Sequence, residues 1–268
     1  MPCAAHMELG MNLIKMTAAL AAGAAIAGAA SAQEYYVGGS IGFAQQNDSS
    51  NSGSTGAFTT GNLGDGSTLD VAAGTPYGWD TEFDSGVAFA GEFGASFGNG
   101  WRGGVEIVYS SADVDTHTGV TLGGGSIDAV DAAAIAGSPT PLGASVAAVV
   151  ADGQGDITNT GVFLNGYYDF NSEGAFQPYV GAGVGFASVD VAYQPSGITV
   201  IDDSETKLAY QVKAGATWRL DNQWELFGEY AYRATEDVEL DNQLFPGTLE
   251  IENTQNVFSI GARYRFGG

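Results

Sequence analysis

From residue 34 onward, large apolar residues recur at every second position in stretch after stretch, and this period of two most constrains the fold. The last stretch, "NVFSIGARYRF", shows it plainly. Phe258, Ile260, Ala262, Tyr264 and Phe266 fall on one face of an extended strand, and Val257, Ser259, Gly261, Arg263 and Arg265 on the other. Eight such stretches stand at about 34–44, 86–97, 101–111, 160–170, 176–188, 206–220, 224–235 and 255–266. Each is near the ~9–11 residues that a tilted strand needs to cross a bilayer. No helical period of any length competes with them. An even number of strands returns both ends of the chain to one side of a closed, antiparallel, up-and-down barrel.

The connections alternate in length. Residues 98–100 ("GNG"), 171–175 ("NSEGA") and 221–223 ("DNQ") are tight turns carrying Gly, Asn or Asp. Between them lie long segments at about 45–85, 112–159, 189–205 and 236–254, the two longest of them rich in Gly, Ser, Ala, Thr and Asp. Those two read as surface loops with substantial disorder, apart from a short helix that "SIDAVDAAAIAGSP" is able to form.

A soluble barrel and a membrane barrel share this alternation and differ in which face is inside. One face carries Val37, Ile41, Phe43, Phe89, Phe93, Trp101, Ile107, Val184, Phe186, Val212, Trp218, Trp224, Leu226 and many more of that size. The lumen of an eight-stranded barrel barely accommodates its own side chains, so these residues must point outward. The opposite face is mostly small, with Gly38, Ser40, Gly42, Ala88, Ala90, Gly94, Gly104, Gly181, Gly183 and Gly215. An apolar exterior around a polar interior is the pattern of a transmembrane barrel. Aromatic residues gather beside the tight turns (Phe97, Trp101, Phe170, Trp218, Trp224) and at the two ends (Tyr35, Phe266), as a girdle at one membrane interface does. The short turns then face the periplasm and the long loops face outward.

The beginning of the chain predicts export. "MNLIKMTAALAAGAAIAGAASAQEYY" places Lys15 before an Ala-rich apolar run that ends in Ala30-Ser31-Ala32, a small-x-small cleavage pattern. Residues 1–32 are therefore read as a signal peptide, with cleavage before Gln33 and a start at Met11 or Met7 favoured because Glu8 stands where positive charge is wanted. Residues 33–268 form the barrel domain. The lone Cys3 lies in the removed part, so no disulfide and no lipoprotein anchor are expected.

The chain has 8 Lys and Arg against 31 Asp and Glu, which argues against a nucleic-acid partner. Apart from Lys15 and the loop-rim Lys207, the cations Arg102, Lys213, Arg219, Arg233, Arg263 and Arg265 all fall on the small-residue face. Glu92, Glu106, Glu225 and Glu229 share that face. With a three-residue first turn, Glu92 and Glu106 lie opposite each other and need a cation between them; Arg219 faces Glu225, and Lys213 lies diagonal to Glu229. Glu92, Glu106, Lys213, Arg219, Glu225, Glu229, Arg233 and Arg263 are thus expected to form a structural charge network that plugs the lumen, provided each charge is paired. The alternative is the lining of a narrow water channel.

The loops are nearly all acid, from Asp48 and Asp65 to Glu250 and Glu252. A solvated, self-repelling surface is the plain reading; divalent cations bridging to anionic lipid headgroups are the sharper one, although no EF-hand or zinc spacing supports a dedicated metal site. His117, between Thr116 and Thr118, reads as a solvated loop histidine. Ser110 and Ser111 are near it in sequence, but a nucleophile, a base and an acid held on strand ends are not evident. No catalytic residue, cofactor or metal ligand is assigned.

"PYVGAGVGFA" at 178–187, "WELFGEYAYR" at 224–233 and the terminal "VFSIGARYRF" resemble the outer-membrane β-barrel family that includes OmpA-type transmembrane domains and opacity-type porin-family proteins. The resemblance covers about residues 34–266. It implies an all-β, eight-stranded barrel in the outer membrane of a Gram-negative bacterium. It also implies insertion by the barrel-assembly machinery, which reads a C-terminal aromatic strand, here ending in Tyr264 and Phe266. Gly267 and Gly268 follow Phe266, whereas the family usually ends on the aromatic residue. No peptidoglycan-binding domain follows the barrel in this sequence, so the anchoring role of full OmpA proteins is not expected to carry over. The expected protein is monomeric and non-enzymatic, surrounded by outer-membrane lipid and lipopolysaccharide, with an envelope-structural or surface-interaction role. A small passive pore is the alternative, and a lipid-modifying enzyme a third reading.

Overall fold

The computed structural model describes residues 34–266; the signal peptide assigned to residues 1–32, and Gly267 and Gly268, lie outside the described residues. In chain order the strands are β1 (Glu34–Gln46), β2 (Ser49–Thr55), β3 (Phe58–Thr59), β4 (Asp70–Val71), β5 (Pro76–Phe83), β6 (Ser85–Gly98), β7 (Trp101–Leu122) and β8 (Gly125–Ser126). Two short helices, α1 (Ala133–Ala136) and α2 (Val146–Val150), precede β9 (Gly155–Asp169), β10 (Phe176–Tyr193), β11 (Ile201–Arg219), β12 (Trp224–Thr235), β13 (Val238–Asp241), β14 (Gly247–Ile251) and β15 (Thr254–Phe266).

The long strands pair in a series that returns to its start. β1 pairs with β6, β6 with β7, β7 with β9, β9 with β10, β10 with β11, β11 with β12, β12 with β15, and β15 again with β1, every pairing antiparallel. No member of this ring is left with an unpaired edge, which is what a backbone surrounded by hydrocarbon requires. At one end the connections are short. Gly98, Asn99 and Gly100 all take positive φ, as does Asn171. Asp221 instead accepts from the amides of Gln223 and Trp224, both at 2.7 Å.

At the other end the strands run on past the ring. β5 pairs with the far part of β7, and β13, β14, β2 and β5 continue the sheet from there. The expectation of largely disordered loops is corrected here. These segments enclose an apolar core of Tyr77, Val114, Ile157, Val189, Val191, Tyr193, Ile201, Val238, Leu240, Leu249 and Ile251, all buried. Short strands of alternating Val, Leu and Ile were hidden among Gly, Ser and Asp, where none alone has the length to declare a period. The helix expected in 126–139 forms as one turn, α1, closed by Gly137 at φ 66°.

Along single strands the two faces exchange chemistry. On β10, Val180, Val184 and Phe186 point out and are exposed, while Tyr179 points in. Beyond residue 188 the inward residues become Val189, Val191 and Tyr193, and the outward Asp190 is exposed. The strand keeps its period of two while the medium around it changes from hydrocarbon to water, and the apolar face changes sides accordingly.

Candidate functional site

Inside the ring, side chains stack in layers from the short-turn end upward. At that end is an open space of about 490 Å³, bordered by Glu34, Arg102, Asp169, Arg219, Glu225 and Arg265 among others. Glu225 holds three guanidinium groups, from Arg263 at 3.1 Å, Arg265 at 3.3 Å and Arg219 at 3.5 Å. Arg265 also pairs with Glu34. Arg102 makes a two-pronged pair with Asp169, Nε to Oδ2 at 2.6 Å and Nη2 to Oδ1 at 2.9 Å, with its guanidinium over the rings of Tyr167 and Tyr179.

Above lies the tightest layer. Lys213 Nζ donates to Glu106 Oε1 at 2.6 Å and to Glu229 Oε1 at 2.9 Å, with its head group almost wholly buried. Gln211 Nε2 and Asn165 Nδ2 donate to the other oxygen of Glu106 at 2.7 and 3.0 Å, and Tyr179 donates to Glu229 at 2.9 Å. Glu92 does lie opposite Glu106 in register. The shared cation expected between them is not what it binds, which is a correction: Glu92 accepts from the hydroxyls of Tyr36 and Tyr167, and Lys213 serves Glu106 and Glu229. Arg233 is a second correction. It donates to Gln211 Oε1 at 3.1 Å and lies over Phe163, with no direct carboxylate partner among the described ion pairs. A void of about 20 Å³ lies at this level, near Ser40, Ala90, Glu92, Glu106 and Glu229. That is room for about one water molecule.

Small residues make the crowding feasible. A Cβ on Gly104 would strike the Glu92 carboxylate, and one on Gly181 would strike the Tyr167 ring. Tyr36, Tyr167, Tyr179, Phe163 and Asp169 were missed by reading the inner face as small and charged. Their position in the alternation is the signal: Asn165, Tyr167 and Asp169 step along one face of β9, opposite Leu164 and Tyr168.

Next comes a neutral layer, with Ser110 bonded to Gln255, Gln46 to Asn253 and Asn253 to Asn159. The apolar core follows, and within it a cavity of about 200 Å³ with an almost wholly apolar lining. His117 stands here, and the expectation of a solvated histidine is corrected: its ring is 3% exposed. Its Nδ1 lies 2.8 Å from Thr81 Oγ1, and its ring meets Tyr193 edge-on. Burial lowers its pKa from 6.5 to about 4. Ser110 and Ser111 are engaged elsewhere, with Gln255 and Thr158.

The acids of the outer part face outward. Asp113 sits directly opposite Asp156. Asp131 is held low by the backbone amides of Ala133, Leu142 and Gly143. Among the described residues no three His, Cys, Asp or Glu converge as a metal site. Tyr264 and Phe266 lie at the ring's lipid-side rim, Tyr264 between Trp224 and Phe266.

A closed series of amphipathic strands with an apolar outside and an ion-paired inside defines an outer-membrane β-barrel protein of a Gram-negative bacterium. Residues 31–245 match the model of the Surface antigen family, and the chain belongs to that family. It is 26% identical over 121 residues to the outer membrane protein PagN of Salmonella typhimurium, covering 41% of this chain and 51% of PagN. It is 30% identical over 122 residues to Major surface antigen 4 of Anaplasma marginale, covering 41% of this chain and 40% of that protein. The chain thus spans about half or less of the length of these curated relatives. Among solved structures, the outer membrane protein OprG of Pseudomonas aeruginosa aligns with a TM-score of 0.50 at 18% identity, over 89% of this chain and 98% of OprG.

Proposed function

We propose that the chain is an eight-stranded up-and-down barrel that does not conduct and has no catalytic role, and that it serves as a rigid pedestal presenting its outer module at the cell surface. The layer around Lys213 carries this reading. The narrowness of this layer, with a void of about 20 Å³ above the wide lower space, supports a closed lumen. The family's description and the name of the Anaplasma relative support exposure at the surface. Tyr264 and Phe266 serve as the element read by the barrel-assembly machinery. The protein works as a monomer among lipopolysaccharide and outer-membrane lipid.

Planar-bilayer recording of the refolded protein tests the plug. The expected result is no stable open level, with protease added to whole cells reaching only the outer module. A large steady conductance from the unaltered protein overturns the plug and leaves a passive pore in its place.

A further inference from the structure

The apolar head of the outer module is not filled. About 200 Å³ of space lies within it, beneath the β3–β4 hairpin, α1, α2 and the segment 242–245. Rings and branched chains make its wall, among them Phe58, Tyr77, Trp79, Phe245, Leu63 and Ile135. Phe58 stacks on Phe245 at 4.8 Å between centroids, and Phe245 meets Tyr77 edge-on at 5.1 Å. The polar residues on this wall direct their polar atoms elsewhere. Thr60 donates to the Gly61 carbonyl at 3.0 Å, Thr121 to the Gly78 carbonyl at 3.2 Å, and the side-chain oxygen of Asn242 accepts from the Leu244 amide at 2.8 Å. Among the described residues, the buried side-chain polar atoms without a hydrogen-bond partner are Trp79 Nε1, His117 Nε2 and the Tyr193 hydroxyl, and these have almost no accessible surface. They are walled in by protein and offer the cavity nothing. A water molecule inside would need about two to four polar partners and finds a wall that is almost wholly apolar, so the space stays dry. A dry void of this size forfeits the close contacts that pack the rest of the head.

We infer that this cavity is a binding site for a small uncharged hydrocarbon, a single aromatic ring with one or two carbons attached. The size fits: a dry apolar cavity of about 150 Å³ accepts benzene, and about 200 Å³ leaves room for the attached carbons. The rings of the wall offer edge-to-face contacts to an aromatic guest. A hydroxyl on the guest would be buried without a partner, and a charge would lose its hydration with no counter-ion on the wall, so the apolar guest is the one selected. The roof gives a way in. β3 and β4 form a two-stranded sheet of their own, outside the ladder of the main sheet, so the hairpin lifts without breaking any strand pairing of the ring. Tyr193 and Val200 on the wall lie beyond the point where β10 leaves hydrocarbon for water, and the guest therefore enters from the aqueous side as a free molecule, not as the tail of a membrane lipid. The inference goes beyond surface presentation and does not depend on the lumen being plugged.

The test uses the full mature barrel in phospholipid nanodiscs, with toluene, phenol and benzoate as probes at known free concentration in the aqueous phase. The indole signal of Trp79 and the ring signals of His117, the sole histidine within residues 34–266, are followed by NMR. Trp101, Trp218 and Trp224 stand on the lipid belt, and their indoles record whatever probe dissolves in the bilayer. Toluene should shift Trp79 and His117 saturably, while the belt indoles drift without saturating. Phenol should bind at least about tenfold more weakly than toluene, the cost of one hydroxyl buried without a partner; benzoate should leave Trp79 and His117 unmoved. Ala134→Phe, which fills the cavity from α1, should abolish the saturable response while the circular dichroism of the barrel is retained. If that variant fails to fold, the toluene-to-phenol ratio of the unaltered protein decides. Absence of a saturable shift with toluene, phenol binding as tightly as toluene, or an undiminished response in Ala134→Phe overturns the proposal.

Discussion

At the scale of single residues, the interior is governed by what happens when one partner is removed. Lys213 alone neutralises Glu106 and Glu229 by direct contact. Lys213→Met therefore strands two buried carboxylates and should destabilise the folded protein by about 3–5 kcal/mol in urea unfolding from micelles. Glu229→Ala leaves the lysine with Glu106 and should cost less. Glu239→Ala, at an exposed position of β13, should cost least. Equal losses in all three would mean that the interior charges are hydrated. His117 answers to pH instead. Its neutral form is favoured in the fold, so between pH 6.5 and about 4 the unfolded chain binds the extra proton. Stability of the outer module should accordingly be full above pH 6.5 and fall as the pH drops through that window, by up to about 3 kcal/mol. His117→Gln should flatten this part of the pH profile, measured by proteolysis of the outer module.

At the scale of elements, the strands carry two codes on one period. Val212 is half exposed on the outside of β11, whereas its neighbour Gln211 is 1% exposed inside. Val212→Arg should cost about 2–4 kcal/mol at the bilayer midplane, and Glu250→Arg, outward on β14 in water, close to nothing; similar losses would mean that the belt around Val212 is not in lipid. Gln211→Arg should also be costly, because Gln211 bonds Glu106 and Asn165 and already accepts from Arg233. On β10, Val191→Asp should loosen the outer module to surface protease while the barrel keeps its protected fragment, and Asp190→Val should leave both intact. The belt was legible in the sequence because long strands such as β10 and β11 repeat one rule for many residues. Outside the membrane the strands shorten, and four residues such as Val238–Asp241 give too little period to be read. Their place is set through the neighbouring β14 by its pairing with β2, which is distant in the chain. Among interior residues, the charges were legible by face, but their partners were not. Which carboxylate a lysine reaches depends on the stagger between strands that are not adjacent, as with Lys213 on β11 and Glu106 on β7.

At the scale of the whole molecule, the layers run from an open ion-paired base through a dense middle to an apolar head, and conductance is expected to be negligible unless the middle is opened. Gly-for-Tyr replacement at Tyr167, which withdraws a ring from that layer, should raise the leak in planar bilayers more than the same change at the lipid-facing Tyr168. The seam of the ring is where its first and last strands meet. There β2, which follows β1 directly, pairs with β14, which directly precedes β15, while Asn47 bonds Thr254 and Asn256, and Gln46 bonds Asn253. The two ends of the ring are therefore joined a second time above the membrane, as a buckle closes a belt. Once β2 and β14 have met, β1 and β15 are tethered at high effective concentration, and sideways parting of the seam toward lipid requires undoing the buckle first.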